Sequence, residues 1–150
     1  MKTRDLTGQA LDWAVAKCEG YTGLHKIAGR MPHEPQLGIL PPRKEYGVMD
    51  LWELGYSTDW AQAGPIIERE GISTVFCSGD LGEPRSYWIA TAEAQGWEWG
   101  YGPYHAQDDE KSIQIYKATT HNGPTPLIAA MRCYVASKLG DEVDVPEELA

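Results

Sequence analysis

The stretch Ile72-Ser73-Thr74-Val75-Phe76-Cys77, followed by Ser78-Gly79-Asp80-Leu81-Gly82-Glu83-Pro84-Arg85 and then Ser86-Tyr87-Trp88-Ile89-Ala90-Thr91, decides the fold class. Two runs rich in β-branched and aromatic residues flank a turn-rich segment, the pattern of two strands joined by a short connection. Parallel strands need a crossover of a dozen or more residues, so strands this close in sequence pair antiparallel. Downstream, Trp97-Glu98-Trp99-Gly100-Tyr101-Gly102 alternates aromatic and small or polar residues. Residues 112–118, with Ile113 and Ile115 on one face, form its partner strand after the acidic turn Asp108-Asp109-Glu110.

Helices are expected at both ends of the chain. Ala10, Leu11, Ala14, Val15 and Cys18 recur at helical spacing behind a Thr7 cap. Leu6 and Leu11 stand at the positions of a hydrophobic staple, and Gly20 is the stop, giving a helix over 8–19. Trp13 lies off this stripe and either widens the buried face or meets a partner. Thr125 as cap, Pro126 in the first turn, the stripe Leu127, Ile128, Met131, Tyr134, Val135 and Leu139, and Gly140 as stop predict the last helix. In 56–71, Asp59 and Gln62 have capping-box spacing and Pro65 suits a first turn, so two closely spaced helix starts are expected. The expected architecture is therefore a single α+β domain over 1–150. It has one antiparallel sheet of four or five strands, the first and last helices packed on one face, an irregular flap at 21–55 holding a strand near 46–54, and an acidic, solvated tail at 141–150.

Composition narrows the function classes. The 150 residues carry a formal net charge of −9, with six Trp and eight Tyr against one Phe. Residues 1–50 hold seven Lys/Arg and six Asp/Glu, whereas residues 51–150 hold six and sixteen. An acidic body repels a phosphate polymer, which disfavours binding to DNA or RNA. A small anion in a local pocket is compatible with it, because distant surface charge is screened beyond about 8–10 Å. No apolar run approaches the length of a membrane span. Cys18, Cys77 and Cys133 are widely spaced in apolar patterns and read as reduced thiols. With His25, His33, His105 and His121 they form no metal-ligand spacing, so neither a metal nor a cofactor is expected. No nucleophile elbow, phosphate loop or metalloprotease motif occurs. His105 and His121 are the candidate general bases, and both read as exposed or capping histidines, so no catalytic residue is assigned.

Three blocks carry a resemblance. They are Leu6-Thr7-Gly8 with Leu11-Asp12-Trp13-Ala14-Val15-Ala16-Lys17-Cys18-Glu19-Gly20, then Tyr56-Ser57-Thr58-Asp59-Trp60-Ala61-Gln62-Ala63-Gly64-Pro65-Ile66-Ile67-Glu68, and then Gly123-Pro124-Thr125-Pro126-Leu127-Ile128-Ala129-Ala130-Met131-Arg132-Cys133-Tyr134-Val135. Together they cover about a quarter of the chain and resemble the NinX-like family of lambdoid phage and prophage accessory proteins. The resemblance implies phage origin, expression in the bacterial host cytoplasm and an accessory role, and it carries over no catalytic residue.

Three functions compete on these observations. The first is a protein that binds and sequesters a small host molecule, a nucleotide-derived defence signal being the candidate, since Trp and Tyr faces stack bases while helix N-termini and Arg hold phosphates. The second is an acidic inhibitor of a host protein, including a DNA mimic, and the third is a nucleotide hydrolase. Homo-oligomerisation stays open. For the first function the expected ligand site joins the second and third blocks. Ser57, Asp59 and Thr125 would present oxygen groups, Trp60 and Trp88 the walls, and Arg132 a positive charge.

Overall fold

A computed structural model describes residues 1–27, 36–43, 47–78, 87–92 and 119–149, together with the backbone of 97–100 and 113–116. Three helices are present among them: α1 (Gly8–Cys18), α2 (Trp60–Arg69) and α3 (Pro126–Leu139). The strands are β1 (Thr22–Ile27), β2 (Gln36–Leu40), β3 (Met49–Asp50), β4 (Ser73–Cys77), β5 (Tyr87–Ala92), β6 (Trp97–Gly100), β7 (Ile113–Tyr116) and β8 (Thr119–Gly123). The class is α+β, as expected.

The described strands do not form one sheet of four or five. They divide into two three-stranded antiparallel sheets, β1-β2-β3 and β4-β5-β8, and a separate ladder of β6 with β7. Two features of the sequence account for the difference. Glycines and prolines between 21 and 55 obscure the strands β1 and β2, whereas β3 falls inside the strand expected near 46–54, so the irregular flap contains a sheet whose Ile39 is 1% exposed and joins the core. And β8, Thr119-Thr120-His121-Asn122-Gly123, has no apolar side chain to signal a strand. Its partners decide it: Trp88, Ile89, Ala90, Thr91 and Ala92 of β5 pair in register with residues 123 down to 119.

The helices form successive layers rather than sharing a sheet face. α3 packs across β4, β5 and β8, while α1 packs on α3 and on the single turn Leu51–Glu53. Composition explains this placement. Apart from half-buried Ile128, every α3 residue from Leu127 to Ala136 is buried, including Ala129, Ala130 and Ala136, and a helix apolar all round belongs between layers. Gly123 permits the closest approach, since a Cβ there would lie 2.6 Å from the backbone nitrogen of Ala129.

The second block holds one helix, not two starts. Asp59 caps α2 by accepting the Ala61 N–H at 2.8 Å, and Pro65 lies inside the helix. Gln62 turns back to the preceding loop, accepting the Gly55 N–H at 3.1 Å and donating to the Glu53 carbonyl at 3.1 Å. The acidic tail also differs from expectation, because residues 141–149 fold onto the start of the chain. Thr3 donates its N–H to the Asp141 carbonyl at 2.8 Å and its hydroxyl to the Gly140 carbonyl at 2.7 Å, while Val143 is 3% exposed. Burial of Val143 and the paired backbone groups hold the acidic segment in place. No helix among the described residues is long and apolar enough to cross a membrane.

Candidate functional site

The six residues expected at a site fall in three places. Asp59 and Thr125 each cap a helix of their own, Thr125 accepting the Ile128 N–H at 3.2 Å. Trp60 is 54% exposed at the first turn of α2. Ser57 is buried. Its N–H donates to an Asp12 carboxylate oxygen at 2.7 Å, and its hydroxyl has no hydrogen-bond partner among the described residues. This bond ties the second block to the first, and burial raises the Asp12 pKa beyond what the Ser57 amide offsets. Trp88 is half-buried on the α3 side of its sheet, its ring 5.2 Å from that of Phe76. No hydrogen bond or ion pair among the described residues joins residues 57–60 to Thr125 or Arg132.

Arg132 stands apart from the other five. Its guanidinium is buried in α3, where Nε donates to the Leu6 carbonyl at 2.9 Å and Nη1 to the Asn122 carbonyl at 2.9 Å. Among the described residues no carboxylate lies within ion-pair distance of it. Desolvation pulls its pKa down, and Asp5 opposes this only through space. A buried charge without a counter-charge is costly, and proteins normally pair it.

Next to this charge the surface is concave. Two hollows share Arg4 and His121: one of about 310 Å³ is lined also by Lys2, Asp141 and Glu142, and one of about 330 Å³ also by Tyr87, Ile89, Thr120 and Asn122. Register explains the lining of the second. Ile89 pairs with Asn122 and Thr91 with Thr120, so these residues point away from α3, and Tyr87 follows Ile89 on the same face. The turn Thr3–Asp5 beside β8 adds Arg4. His121 is nearly enclosed, with Nε2 3.9 Å from Asp141, and its pKa is lowered, chiefly by burial and also by Arg132, against the opposing pull of Asp141. The first hollow sets Lys2, Arg4 and His121 beside the carboxylates of Asp141 and Glu142, and the second sets Arg4 and His121 beside Asn122, the carbonyl anchor of Arg132.

A second polar cluster closes the other ends of the helices. Arg69 binds Glu19 through both terminal nitrogens, at 2.6 and 3.2 Å, and Glu70 through Nε at 3.0 Å. Lys138 reaches Glu70 at 2.8 Å, and the Tyr134 hydroxyl donates to Glu19. These contacts pull both glutamate pKa values down, so they favour the folded state at neutral pH and weaken as acid protonates the pair. With every charge matched, this cluster acts as a clasp between α1, α2 and α3.

The thiols of Cys18 and Cys133 are held protonated. Burial pushes Cys18 up to about 12 and Cys133 to about 11, and Cys133 donates to the Thr119 carbonyl at 2.9 Å. His105 lies outside the described residues.

Sequence reasoning selected Arg132 but missed Lys2, Arg4, His121 and Tyr87 as its neighbours. The local excess of Lys and Arg in the first fifty residues was the available signal. Comparison with known proteins adds the following. A family model described as "Bacteriophage P22, NinX" matches residues 2–138. No curated protein matches the chain.

Proposed function

The chain belongs to the phage NinX family, and from that premise and the Arg4–His121 cleft we propose a phage accessory protein that binds and sequesters a small anionic host molecule of the nucleotide class in the bacterial cytoplasm. One observation carries the reading: the buried Arg132 guanidinium has no carboxylate partner among the described residues and is anchored to Asn122, a wall of the cleft. An anion there would supply negative charge beside Arg132, with Arg4, Lys2 and protonated His121 as direct donors. Tyr87 and Ile89 offer a wall for a planar base. Of the six residues expected from sequence, Arg132 is the one whose side chain hydrogen-bonds to a residue of this cleft among the described residues.

Calorimetric titration with adenosine 5′-monophosphate and with adenosine tests the proposal. The nucleotide is expected to bind more tightly than the nucleoside, and Arg4→Gln to weaken the nucleotide about fivefold, as loss of an exposed ion contact does at most. Equal affinity for both molecules, or no binding of either at millimolar concentration, would overturn it. The cleft also predicts a pH response. An anion beside His121 favours the imidazolium, so its lowered pKa should rise on binding. Nuclear magnetic resonance of the His121 ring protons reads this directly; an unmoved titration in saturating nucleotide would place the anion elsewhere.

A further inference from the structure

A separate hollow of about 420 Å³ lies between the outer side of α1, the β1–β2 pair and the tail. Its walls are aromatic and aliphatic: Trp13, Tyr21, Leu24, Ile39 and Pro146, with Gly20 and Gly23 leaving backbone uncovered at the rim. Among the described residues the single charged one in the lining is Lys17, whose Nζ sits 5.1 Å from the centre of the Trp13 ring. In a chain of net charge −9, a hollow whose described lining holds one ammonium and no carboxylate is selective in its electrostatics. The position of Trp13 agrees with it. Trp13 lies off the apolar stripe of α1, yet it is 8% exposed and lines this hollow together with residues of β1 and Pro146 of the tail.

We propose that this hollow is a second binding site, taking a planar aromatic molecule that bears one negative charge, of the arene carboxylate class. The ring would lie against Trp13, Tyr21 and Leu24, and the carboxylate would pair with Lys17 at the mouth. An aromatic ring gains from offset or edge-on contact with Trp and Tyr in addition to the area it buries. The carboxylate selects Lys17 because no competing acid lines the hollow among the described residues. The proposal is independent of the Arg4–His121 cleft, whose lining shares no residue with this one.

The test uses 2-naphthoate and its neutral counterpart 2-naphthalenemethanol, titrated against the full chain by ligand-observed nuclear magnetic resonance. The wild type is expected to bind naphthoate more tightly than the alcohol, with Lys17→Gln weakening naphthoate about fivefold and leaving the alcohol unchanged. Leu24→Trp, which fills the hollow, should remove both. If that variant unfolds, the Lys17→Gln comparison decides alone, because Lys17 is exposed. Adenosine 5′-monophosphate should not displace naphthoate, and Arg4→Gln should leave naphthoate binding intact. The proposal is overturned by undetectable naphthoate binding up to its solubility, by equal affinity of Lys17→Gln for naphthoate, or by displacement by the nucleotide.

Discussion

Met131→Ala should destabilise the protein by about 2–5 kcal/mol, the sum of lost transfer energy and the cavity left behind. Met131 is completely buried in α3, the helix that separates the β4-β5-β8 sheet from α1. The site has little freedom to collapse, because Ala129, Ala130, Val135 and Cys133 are fully buried beside it and α3 is confined from several directions. Leu11→Ala should fall in the same range, since Leu11 is also fully buried, at the staple end of α1. Urea titration with an unchanged slope measures both. A midpoint that barely moves for Met131→Ala would contradict the placement of α3 between layers.

Gly123→Ala is the second change with a large expected effect, about 1–3 kcal/mol. The added methyl would meet the Ala129 nitrogen at 2.6 Å and the Ala129 Cα at 3.1 Å, and both are helix backbone that cannot swing aside. Relief requires β8 to move away from α3. That motion stretches the bond from Arg132 to the Asn122 carbonyl and alters the wall formed by Asn122, Thr120 and His121. A lower melting temperature should therefore accompany weaker binding of adenosine 5′-monophosphate. Full stability in Gly123→Ala would mean that strand and helix are not in the contact described.

Much of the frame is legible in the sequence because its signals are local. Thr125, Pro126 and Gly140 bracket α3 residue for residue, Asp59 marks the start of α2, and the two runs at 72–77 and 86–91 become β4 and β5 in antiparallel register. What is not legible is long-range. β8 is polar throughout and becomes a strand because Trp88 to Ala92 offer it a ladder. The layer order follows from α3 being apolar on every side, which a one-sided stripe does not express. The tail folds back through Thr3 and Val143, a pairing between residues more than a hundred positions apart. The site follows the same rule. Arg132 was visible as a cation off the stripe of its helix, whereas Arg4 and His121 meet only through the contact of the Thr3–Asp5 turn with β8. Ser57, Asp59 and Thr125 looked like ligand groups because capping and ligand binding draw on the same oxygen atoms. The hydrogen bonds show capping by Asp59 and Thr125, and a buried tie from the Ser57 amide to Asp12.

This acidic phage-family protein is proposed to hold a small anionic molecule. Native mass spectrometry of the protein recovered gently from phage-infected bacteria tests it most directly. The expected result is one retained small mass, negatively charged and chemically unchanged on release, present in the wild type and depleted in Arg4→Gln. Bare protein alone, or a co-purifying host protein with no small mass, would contradict it.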